Sequence, residues 1–119
     1  MKLPGDELPA ELRSKIQSQV VSLLSDQFPS SFGGNIPLAC HNVGKSIDLL
    51  DSIRNCSAES LICLYEPSPY DIRTFTKKSA LEYFAHRKPW EDYDLILLSD
   101  SFDWGVSLSH NDRVQQLVG

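Results

Sequence analysis

The sequence predicts an α+β fold: a mainly antiparallel sheet of four or five strands with a C-terminal meander, covered by an N-terminal amphipathic helix and one or two shorter helices. Three observations carry this reading. Leu95-Ile96-Leu97-Leu98 is a short apolar run bounded by acidic residues and followed by punctuation at 99–103, which suits a strand buried on both faces and central in its sheet. Trp104, Val106 and Leu108 then alternate with Gly105, Ser107 and Ser109, the period of two of a half-buried strand. Near the other end, Leu8, Leu12, Ile16, Val20, Leu23 and Leu24 recur at spacings of three and four, as on one face of a helix.

Taken in order, the chain predicts a first helix over 9–27. Pro9 fits the first helical position, where its missing N–H costs nothing, and Glu11 suits the positive end of the helix. Arg13, Lys15, Gln17, Ser18 and Gln19 fall on the polar side. Burying each large apolar side chain of the stripe is worth about 1.5–3 kcal/mol before entropy is subtracted. Pro29 ends the helix by pushing its predecessor out of helical geometry. Residues 29–35 read as a turn-rich loop; its Gly33-Gly34 lacks both GxxxxGK[ST] and GxGxxG, so no phosphate cradle is indicated. A short strand at 36–40 is the optional fifth. Asn42 is the expected cap of a second helix over 43–54, with Val43, Ile47, Leu50 and Ile53 inward and Asn55 closing it.

Residues 61–65 predict a second central strand, stopped by Pro67 and Pro69. Residues 70–75 read either as an irregular segment or as an edge strand. Thr76 caps a third helix over 77–86 with Ala80, Leu81 and Phe84 inward, and Pro89 ends it. The meander follows over 93–118, with a tight turn at Asn111-Asp112. Val114 and Leu117 do not share a face of the last strand. It therefore carries a bulge, or it is an edge strand with Arg113, Gln115 and Gln116 toward water. The helices are expected on one face of the sheet.

At 119 residues the chain predicts a single globular domain, 1–119, with one core. Its 41% hydrophobic and 23% charged content is ordinary for a globular protein. No run reaches the ~20 apolar residues of a membrane helix, and the first residues lack an apolar signal-peptide core. The expectation is a cytoplasmic protein with no membrane partner. Cys40, Cys56 and Cys63 show no CxxC pairing and read as reduced thiols rather than a disulfide framework. The net charge of −5 disfavours nucleic-acid binding, which depends on Lys and Arg neutralising phosphates. The basic residues collect before the meander, at Arg73, Lys77, Lys78, Arg87 and Lys88, and the acids within it and its approach.

Side chains capable of chemistry are few. Cys40-His41 has the elements of a thiolate–imidazole nucleophile, but neighbours in an extended chain point to opposite sides. His110 and Asp112 flank the hairpin turn and have the elements of an acid–base pair, or with Asp103 of a metal site, though no H-x-x-x-H pairing supports a metal. Asp100 and Asp103 frame the 99–103 break, where aspartates are ordinary turn residues. No cofactor, metal or catalytic residue is expected. Glu91, Asp92, Asp94, Asp100, Phe102, Asp103 and Asp112 are the candidate partner-binding residues, because acids interleaved with aromatics are common where proteins meet. A small enzyme using a His or Cys side chain and a general protein-interaction module are the alternatives.

The segment Tyr93-Asp94-Leu95-Ile96-Leu97-Leu98-Ser99-Asp100, followed by Phe102-Asp103-Trp104-Gly105-Val106-Ser107-Leu108-Ser109-His110, a turn, and Leu117-Val118-Gly119, resembles the end of small bacterial immunity proteins of contact-dependent inhibition and polymorphic toxin systems. The likeness covers the C-terminal quarter. That class shares no functional residues, so none is carried over. The resemblance implies a single-domain, often acidic, cytosolic inhibitor, a monomer or weak dimer, that binds one toxin domain whose surface is expected to be basic.

Overall fold

The strand over Leu95–Ser99 sits at the middle of the molecule, as its four consecutive apolar residues require. The structure, a computed structural model, describes residues 5–27, 45–65, 71–86, 94–109 and 113–118. In chain order the elements are β1 (Asp6–Glu7), α1 (Ala10–Gln27), β2 (Lys45–Ser46), α2 (Leu49–Asn55), β3 (Ser60–Tyr65), β4 (Asp71–Thr76), α3 (Lys77–Ala85), β5 (Leu95–Ser99), β6 (Gly105–Leu108) and β7 (Val114–Val118). The strands form one seven-stranded sheet in the order β1-β4-β3-β5-β6-β7-β2, and every pairing is antiparallel. The meander β5–β6–β7 is present as expected, and the outermost strands β1 and β2 are two residues each.

Alternation along the central strands sends side chains to two apolar layers. Leu61, Cys63, Leu95, Leu97, Val106 and Leu108 pack with Ile53 and Cys56 from the α2 segment and with Ala80 and Phe84 of α3. Ile62, Leu64, Ile72, Ile96, Leu98 and Leu117 face the other way and pack with Val20 of α1. The helices therefore occupy both faces, not one. A central strand with no polar face needs a cover on each side, and the single helix α1 supplies the second. The apolar stripe that runs into α1 is only partly used: Val20 is fully buried, Ile16 and, just before the helix, Leu8 pack at the margin of the core, and Leu12 is 47% exposed. The helix starts one residue after Pro9, whose carbonyl accepts from Arg13 N–H at 2.9 Å.

α3 and its cap match the sequence reading. Thr76 Oγ1 accepts from Ser79 N–H at 3.1 Å, and His86 closes the helix. α2 departs from it. The helix begins at Leu49, capped by Asp48, whose carboxylate accepts from Asp51 N–H at 2.9 Å. Lys45 and Ser46 are extended instead and pair with Gln116 and Gln115. The proposed cap at Asn42, the inward Val43 and the strand at 36–40 lie outside the described residues. Residues 71–76 form a strand that is next to last in the sheet, paired along its full length with β3 and covered on its outer side by the two-residue β1. Gly5 makes that flank possible: its φ is +85°, and a Cβ there would lie 2.3 Å from the Thr74 carbonyl oxygen.

β7 carries a bulge and is not an edge. Gly105 pairs with Val118 while Val106 pairs with Gln116, so Leu117 is the extra residue and joins Val118 on the α1 side. Gln116 secures this kink. Its amide nitrogen donates to the carbonyls of Gly105 and Val118. Gln115, expected toward water, is fully buried, as are Ser107 and its neighbours Gly105 and Ser109. Ser107 and Gln115 are cross-strand partners on the face of Ile96, inside the second layer.

Candidate interaction surface

The β5–β6 connection is the most tightly specified exposed feature among the described residues. Ser99, fully buried at the end of β5, organises it. Its hydroxyl accepts from Asp103 N–H at 3.1 Å and from Trp104 N–H at 3.0 Å, and donates to Asp103 Oδ1 at 2.7 Å. Ser101 Oγ donates to the same carboxylate oxygen at 2.9 Å. Phe102 N–H donates to Ser99 O at 3.0 Å. These hydroxyls favour the ionised form and hold the Asp103 carboxyl below the usual carboxylate range, the Ser99 bond contributing most.

Phe102 is the positive-φ non-glycine residue of the described chain, at +61°. Such a conformation costs a bulky side chain of order 1–3 kcal/mol and persists only where the surroundings dictate it. Packing does so here. The Phe102 ring lies against the α1-side layer, whereas Trp104 lies against the α2–α3-side layer. Two aromatic rings thus straddle the end of the sheet, and the loop between them is fixed with Asp100 and Asp103 exposed. Neither carboxylate pairs with a cation among the described residues.

A groove continues from this loop along α2. It has a volume of about 430 Å³ and is bordered by Asp48, Asp51, Ser52, Asn55, Trp104 and Gln116. Ser52 Oγ donates to Gln116 Oε1 at 3.3 Å across its floor. Asp51 Oδ1 also accepts from Arg54 at 2.9 Å, an exposed pair. Sequence reasoning missed the groove. Its signal was available in Asp48, an equally good cap for a helix bearing Leu50 and Ile53, which would have placed Asp48 and Asp51 at one helix end.

The sequence-derived acids do not make one patch. Asp100, Phe102 and Asp103 share the 99–103 loop. Asp94 precedes β5 at the opposite end, six residues and about 20 Å away at strand rise. Asp94 is also half-buried and has an interaction of its own. Glu91, Asp92 and Asp112 lie outside the described residues, as do Cys40, His41 and His110. Cys56 and Cys63 are buried and are not joined in a disulfide. His86 is exposed, its Nδ1 2.7 Å from the Glu82 carbonyl oxygen. Of the basic residues, Lys77 donates to the Cys56 carbonyl and Arg73 to the Gly5 carbonyl, so both serve the scaffold. Among the described residues, no group of three His, Cys, Asp or Glu side chains is placed to hold a metal, and no helix is long and apolar enough to cross a membrane.

The chain matches no protein-family model, no curated protein and no solved structure.

Proposed function

We propose that this chain is a binding protein that neutralises a bacterial toxin domain, in the manner of the immunity proteins its C-terminal segment resembles. The observation that carries the reading is the 99–103 loop: two exposed carboxylates on a backbone fixed by Ser99 and by aromatic packing on both faces of the sheet. A preset acidic loop binds a basic surface without an ordering cost, and complementary potential speeds the encounter. A nuclease is the toxin class that fits best, since carboxylates can occupy the positions of substrate phosphates.

The test is to read the genes that flank this chain's own and to co-express the chain with any toxin domain found there, scored as growth rescue and as binding by calorimetry. Asp100→Lys combined with Asp103→Asn, which keeps an acceptor for the two serines, should weaken binding at least about tenfold and change its salt dependence. Undiminished binding by that variant would refute the acidic-loop reading.

A further inference from the structure

We draw no further inference here: the strongest candidate, the groove between the seven-residue helix α2 and Trp104, is walled by acceptors at Asp48 and Asp51 and by donors at Asn55 and the Trp104 indole alike, and nothing in the structure shows what covers it.

Discussion

Replacing Ser99 by alanine should unlock the loop, and the structure sets the size of the effect. The hydroxyl is the acceptor for two backbone N–H groups, those of Asp103 and Trp104, at 3.1 and 3.0 Å. A buried donor stripped of its acceptor costs about 1–3 kcal/mol. Asp103 is exposed and Trp104 half-buried, so water reaches both and the lower figure applies to each. The expected loss is about 2 kcal/mol. For a chain of 119 residues, with an unfolding entropy of roughly 2.1 cal/mol/K per residue, that lowers Tm by about 8 °C. Thermal unfolding followed by circular dichroism reads it directly. Ser101→Ala is the control: its hydroxyl reaches the same carboxylate from an exposed position, and its loss should cost under about 0.5 kcal/mol. A Ser99→Ala variant melting within about 2 °C of the parent, or a Ser101→Ala variant equally destabilised, would refute Ser99 as the organiser of the loop.

Two further outcomes follow from the same geometry. Asp103 is held below its ordinary pKa, so its contribution to stability is complete above that value and is lost as pH falls through the folded-state pKa. Urea unfolding of the parent and of Asp103→Asn should therefore differ at pH 7 and converge toward pH 2; a difference that stays constant would contradict the assignment. Gly105 faces Leu98 across β5–β6, and a Cβ there would lie 2.6 Å from Leu98 Cδ2. Since Leu98 is fully buried, Gly105→Ala should cost about 1–3 kcal/mol, seen as a lower urea midpoint at unchanged slope.

What the sequence made legible was whatever local chemistry decides. Thr76 capped α3 where its side chain and the following apolar spacing said it would, and Leu95–Leu98 declared a central strand by leaving no polar face. What it concealed was decided between distant segments. Asn42 and Asp48 are comparable caps; the pairing of Lys45 and Ser46 with β7, some 70 residues on, is what makes 45–46 extended and moves the start of α2 to Leu49. Ser107 and Gln115 look solvent-facing by alternation, yet their face is the one that packs toward α1. Leu12 continues the stripe of α1 yet is 47% exposed, although Leu8 before it and Ile16 after it both pack on the sheet layer. The candidate site divides in the same way. Asp100, Phe102 and Asp103 were readable as neighbours in one turn, whereas the groove needs α2, Trp104 and Gln116 brought together by the fold.

The margins of the sheet have a consequence of their own. Strands β4 and β7, six and five residues long, would otherwise present rows of open amides and carbonyls to any extended peptide. Asp6-Glu7 and Lys45-Ser46 occupy part of those rows and are themselves too short, and too charged, to template a stranger. Fibril-like growth is discouraged at both flanks.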